Sequence, residues 1–258
     1  MIIRVLPART GLAWIRDGVR LFGSRPISLL ASIAVGLLLL YVPAMVPVAG
    51  PALAAVLAPI AQLGMIAACR AVDAGQVPGV RVYTQALTDA GRRRDLLILG
   101  AINALIVACL VAIGQMAGLD DALKIVTGPN QEQTVQASPG LLAMRIALSA
   151  PVAMAMWLAP ALVGWNGLPA PKAMFYSFFA CWRNRWPLLT FVAGVVGAGS
   201  LITVLLAALA SAVIADGASA TFVMAPLSLA LLAVIQCGVF RMYRQIIEDP
   251  AAGGTSFG

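Results

Sequence analysis

A chain of 258 residues that is 61% hydrophobic and 10% charged, with a mean hydropathy of +0.95, is not composed like a soluble domain, in which about 25% of residues are charged. The net charge of +7 lies beside apolar runs and not in one solvated block, which favours the positive-inside rule over nucleic-acid binding. The absence of histidine removes His-based acid–base catalysis, His metal ligands and Ser-His triads, and no cofactor is expected.

Residues 1–25 carry Arg4, Arg9, Arg16, Arg20 and Arg25 ahead of an apolar run of full span length. This basic lead is too long for a signal-peptide n-region, and no cleavage is expected. Span 1 is read at 27–46. The segment Val46-Pro47-Val48-Ala49-Gly50-Pro51 then turns the chain, because two prolines and a glycine cannot continue a helix, and span 2 at 52–72 closes a helical hairpin. Residues 73–94 are polar and basic. Span 3 covers 96–116, about the length that crosses a ~30 Å hydrocarbon core. Residues 118–139 form the longest polar insertion, with Asp120, Asp121 and Glu132 against Lys124, and read as an outside loop with a short helix at 121–126. Span 4 is placed at 141–163, with Trp157 and Trp165 suited to the interfacial belt. Span 5 follows at 188–214, a turn at Asp216–Ser219, and span 6 at 220–243. The chain is therefore predicted to be an all-α membrane protein of six spans in a single membrane domain covering 1–258.

Orientation follows from the basic residues. The six-span pattern places fifteen of the seventeen Lys and Arg on one side, leaving only Lys124 and Arg145 on the other, so both termini are predicted to be cytoplasmic. Arginine outnumbers lysine fifteen to two, and with abundant Ala and Gly this fits the coding bias of a GC-rich bacterium. A multi-pass protein of the bacterial inner membrane is the expected location.

Each odd-numbered span is preceded by a related segment. In 171–189, PKAMFYSFFACWRNRWPLL, the residues Met174, Phe175, Phe178, Phe179 and Trp182 share one helical face, flanked by Lys172, Arg183 and Arg185. The matching positions 92 residues earlier are Val82, Tyr83, Ala86, Leu87 and Ala90, followed by Arg93. Those 160 residues earlier are Trp14, Ile15, Gly18, Val19 and Phe22, followed by Arg25. Three hairpins, each led by a cytoplasmic interfacial amphipathic helix, are the predicted architecture. Such helices lie on the inner leaflet with arginines on lipid phosphate, a partner groove or a gating element being the other uses. Arg25, Arg93, Arg185, Trp14, Trp182 and Trp186 are the candidate lipid-phosphate or interface contacts.

The Trp-containing N-terminal segment, LFGSRP before span 1, and FFACWRNRWPLL before span 5 resemble uncharacterised six-span inner-membrane proteins of proteobacteria, of the BPSS type. More distantly they are similar to the membrane domain attached to some glycerophosphodiester phosphodiesterases. The resemblance implies location and topology and transfers no catalytic residue. Asp95 departs from it, standing where the other junctions have Pro26 and Pro187.

Polar groups inside spans are the remaining candidates. Arg145 lies about one turn from the outer end of span 4, where its side chain can snorkel. Gln62, Asn103, Gln115 and Gln236 are placed to bond between helices, an ordinary use worth roughly 0.6 to 2 kcal/mol each. Asn103, Arg145 and Gln236 are the candidate intramembrane polar set for a substrate path. Gly194, Gly197 and Gly199 give span 5 a small-residue face for close helix contact. The four cysteines match no zinc spacing and read as small apolar residues. The acids are scattered beside arginines, with neither a nucleophile–base pair nor a carboxylate cluster. The sequence thus points to a non-enzymatic protein that organises anionic inner-leaflet lipid or an unidentified protein partner. A small-molecule transporter or channel is the alternative.

Overall fold

The computed structural model describes residues 3–127, 133–213 and 217–247. Its helices are α1 (Thr10–Ser24), α2 (Pro26–Ala44), α3 (Gly50–Asp73), α4 (Arg81–Thr84), α5 (Ala90–Met116), α6 (Pro139–Trp157), α7 (Ala159–Asn166), α8 (Ala170–Arg183), α9 (Arg185–Val213) and α10 (Gly217–Ile246). Among the described residues, six helical stretches are long and apolar enough to cross a membrane: α2, α3, α5, α6 with α7, α9 and α10. Pro26 starts α2, where its missing N–H would have no intrahelical acceptor. Between α2 and α3 the chain turns through 45–49, which holds Pro47, while Pro51 sits in the first turn of α3; Val48 takes a φ of 66°, a conformation that a β-branched residue rarely adopts.

Hydrogen bonds gather the basic segments at one end of the bundle. An Arg25 Nη donates to the Gly75 carbonyl (3.0 Å), tying the start of α2 to the end of α3. Asp73 accepts from Arg241 (2.6 Å) and from Arg244, tying α3 to the end of α10. The Tyr243 hydroxyl donates to Asn166 Oδ1 (2.5 Å) at the end of α7. The Arg4 N–H donates to the Ile246 carbonyl (3.1 Å). The α2–α3 turn therefore lies at the opposite end.

α3 is the central span. Half of its apolar window is buried, against 17–39% for the other five, and it packs on α2, α5, α7 and α10. α9 is attached mainly through α1, which packs against both α9 and α10. The buried stripe of α1 is Gly11, Trp14, Gly18 and Leu21, while Val19 of the predicted stripe is exposed. The rotation has a steric cause: a Cβ on Gly18 would lie 2.9 Å from the Val234 carbonyl oxygen, so the helix turns its smallest residue to α10. On span 5, Gly194 receives Ile15 and Leu12 of α1, and Gly199 meets Leu231 of α10, contacts within the chain.

Three local expectations change. Span 4 is interrupted at Leu158, which separates α6 from α7. Pro160 supplies no N–H to Met156, and the Ser177 hydroxyl of α8 enters the ladder, donating to the Met154 carbonyl (2.7 Å) and accepting from the Leu158 N–H (2.9 Å). The middle interfacial segment is only the single turn α4 followed by a 3₁₀ turn at Gln85–Leu87. Its Tyr83 is buried, donates to the Ser32 carbonyl (2.6 Å) and fills a slot on α3, where a Cβ on Gly64 would be 2.0 Å from the Tyr83 ring. The short helix expected at 121–126 is instead a 3₁₀ turn at Leu119–Ala122 and an antiparallel hairpin pairing Leu123–Thr127 with Gln133–Ala137. Ile125, Val126, Thr127, Thr134 and Val135 are β-branched, which favours strand. Asp216 of the predicted turn lies outside the described residues, and Gly217, Ala218 and Ser219 are already helical.

Candidate functional site

The arginine-rich end carries two arrangements that point to a ligand. The first is the outer face of α8. This helix turns its small residues Ala170, Ala173, Ser177, Ala180 and Cys181 inward and leaves Phe175, Phe179 and Trp182 exposed. Phe178 stacks on Trp182 at 6.0 Å and 15°, and Phe175 meets Phe179 at 4.6 Å. The Arg185 guanidinium lies 5.9 Å from the Trp182 ring centre and 5.8 Å from that of Trp186, which is 62% exposed. Cation–π contact of this kind is worth about 0.5–1 kcal/mol at an exposed site. The result is an aromatic stripe that ends in a fixed cation, the composition of a membrane–water interface.

Asn184 makes the corner between α8 and α9, and it is 1% exposed. It accepts from the Leu6 N–H (2.9 Å) and donates to the Arg4 and Ala180 carbonyls (both 2.9 Å). These bonds fasten the N-terminal segment beneath the Trp182–Arg185–Trp186 cluster. Burial pushes the Cys181 thiol up to about 12, so it stays protonated at neutral pH.

The second arrangement is a cavity of about 740 Å³ between α3, the 74–87 connection and α7. Arg70, Arg81 and Arg92 line it, with Gln76 and Gln85, over a wall that includes Leu63, Ala67, Val82 and Trp165. Arg70 lies 4.7 Å from the Trp165 ring centre. Arg92 is positioned by the start of α5: Asp89 caps the helix by accepting the Arg92 N–H (3.0 Å), and that bond holds the Asp89 carboxyl below its ordinary pKa. Tyr83 supports the wall beside Val82, and burial raises its hydroxyl pKa, so it remains a donor to Ser32.

The nine residues singled out from the sequence separate clearly. Trp182, Arg185 and Trp186 come together on the exposed face. Arg93 is exposed in the first turn of α5, and Arg25 is half-buried with one guanidinium hydrogen bond given to Gly75. Trp14 is not an interface contact: it is fully buried, packs edge-on to Phe191 at 6.1 Å and donates to Gln245 Oε1 (2.9 Å). Its face of α1 meets α9 and α10, which removes it from lipid. Asn103 donates to the Ala55 carbonyl (2.8 Å) and Gln236 to Met65 Sδ (3.6 Å). Their partners are ten residues apart on α3, about 15 Å along a helix, so the two do not share a site. Arg145 is exposed at the opposite end, lining a cavity of about 180 Å³ with Leu110, Gly114 and Ser149.

The seam between α3 and α10 was not foreseen. Met65, Cys69 and Asp73 follow one another at four-residue spacing and meet Gln236, Cys237, and Arg241 with Arg244, the two cysteine sulfurs lying 3.1 Å apart. The spacing 65-69-73 was the available signal, but its partners lie about 170 residues away. The cavity was missed for a similar reason, since Arg70, Arg81 and Arg92 belong to three different elements.

The chain is similar to a probable inner membrane protein of Burkholderia thailandensis, at 32% identity over an alignment 264 positions long that covers 95% of this chain and 94% of the relative. No family model and no solved structure matches the chain. The expected distant likeness to domains attached to glycerophosphodiester phosphodiesterases finds no support in these comparisons. Six apolar spans and near full-length similarity together place the chain in a family of bacterial inner-membrane proteins that includes the Burkholderia protein.

Proposed function

We propose that this is a non-enzymatic inner-membrane protein that gathers anionic lipid at its arginine-rich end, which we take as cytoplasmic. The observation that carries this reading is the exposed aromatic stripe of α8 ending in Arg185, seated against both Trp182 and Trp186. Tryptophan rings favour the headgroup level, and arginine beside them pairs with phosphate through its planar fork of donors. Arg25 and Arg93 lie at the same end of the bundle, and a juxtamembrane arginine adds about 1 kcal/mol of attraction to an anionic leaflet.

The test is the lipid content of protein purified in mild detergent, together with solute flux in liposomes. Wild type is expected to enrich phosphatidylglycerol over phosphatidylcholine and to move no solute. The combined Arg25→Ala, Arg93→Ala and Arg185→Ala variant is expected to lose most of that enrichment. Equal retention of both lipids, or a flux that depends on Asn103, Arg145 or Gln236, overturns the reading.

A further inference from the structure

We propose that the cavity between α3, the 74–87 connection and α7 binds one phosphate-bearing amphiphile, with its phosphate on Arg70, Arg81 and Arg92 and its chain running along α3 towards Leu63. This deepens the lipid reading above and rests on it. The volume of about 740 Å³ falls within the range of roughly 300–1,000 Å³ usual for small-molecule sites.

Among the described residues that line the cavity, three are arginines and none is acidic. Asp73, one turn beyond Arg70 on α3, is engaged by Arg241 and Arg244 of α10. Trp165 supports the Arg70 guanidinium by cation–π contact, which favours a fixed orientation of its donors. Arginine suits a phosphate better than lysine would, because its forked donors pair with two oxygens at once.

The other end of the cavity is apolar. Leu63 lies seven residues before Arg70 on the same helix, about 10 Å deeper along the span. A free phosphate or sugar phosphate leaves that wall unfilled, whereas an acyl chain covers it. Ala67 sits between the two ends, half-buried, so a larger side chain there narrows the chain path and leaves the three guanidinium charges in place.

The experiment uses full-length protein, washed free of lipid in mild detergent and titrated with phosphatidylglycerol, with bound lipid counted by native mass spectrometry. Wild type is expected to hold one tightly bound lipid per chain. Losing several charge-assisted hydrogen bonds in the Arg70→Gln, Arg81→Gln and Arg92→Gln variant is expected to weaken it by about tenfold or more. Ala67→Phe, which keeps all three arginines, is expected to lose the lipid as well, and the Arg25→Ala, Arg93→Ala and Arg185→Ala variant is expected to keep it. Inorganic phosphate at millimolar concentration identifies the source: it is expected not to displace the lipid. If Ala67→Phe binds the lipid like wild type, or phosphate displaces it, the amphiphile assignment is overturned. If the glutamine variant retains the lipid, the cavity is not the site and the reading of the α8 face survives. If wild type shows no preference for anionic lipid, both fall.

Discussion

Asn184 shows how much of this protein depends on one short polar side chain in a basic, aromatic stretch. Its amide is buried and satisfied by Leu6, Arg4 and Ala180, so it fixes the N-terminal segment and the α8–α9 corner together. Asn184→Ala leaves buried backbone groups without partners and is expected to destabilise the fold by about 1–3 kcal/mol, read as a lower Tm in detergent. Faster proteolysis ahead of α1 should accompany it. Trp186→Ala, at an exposed ring only two residues away, should leave the Tm nearly unchanged while reducing anionic-lipid enrichment. The stretch WRNRWP thus divides its labour, with the asparagine facing inward and the rings and Arg185 facing outward.

The interruption between α6 and α7 sets how α8 lies against span 4. Pro160 removes one donor from the helix, and the Ser177 hydroxyl bridges the Leu158 N–H and the Met154 carbonyl in place of a direct bond. Ser177→Ala is expected to cost about 1–3 kcal/mol, since both groups are buried or nearly so. In combination with Pro160→Ala the cost should shrink, because a continuous helix can then pair Leu158 with Met154 directly. A double-mutant cycle on thermal unfolding measures this coupling, and simple additivity of the two costs would count against the inserted-hydroxyl account. The small-residue face of α8 follows from the same contact: Ser177 must approach the α6–α7 break closely, which leaves the large aromatic residues on the outside.

Across the whole molecule, α3 is the axis on which most spans pack, and the arginine-rich end is closed by bonds among α2, α3, α7 and α10. Topology in the membrane is exposed to labelling of single cysteines placed in a background without the four native ones. Lys124→Cys should react with an impermeant maleimide from outside, while Gln85→Cys and Phe175→Cys should react only after the membrane is opened. Labelling of position 85 or 175 from outside would reverse the orientation and with it the assignment of the basic face to the cytoplasmic leaflet.

The span count was legible because about twenty consecutive apolar residues are a one-dimensional property: the helices begin and end within about two residues of the runs at 27–46 and 52–72, and α5 ends with the run at 96–116 but starts at Ala90, in the polar stretch before it. The junctions at Pro26 and Pro187 were legible for the same local reason. Which face of each helix meets protein was not, because it depends on neighbours far along the chain. Trp14 and Trp182 lie on the matched faces of their segments, yet Trp14 is buried against α9 and α10, and Trp182 faces outward because small residues hold α8 to span 4. Tyr83 had the same apparent role and became a plug, since Gly64 left room for its ring. Sequence alone determined that the chain holds six stretches long and apolar enough to cross a membrane and carries its charge beside them. Only the tertiary structure decided that Arg70, Arg81 and Arg92 line one cavity, because that convergence arises from packing α4 and the start of α5 against α3 and α7.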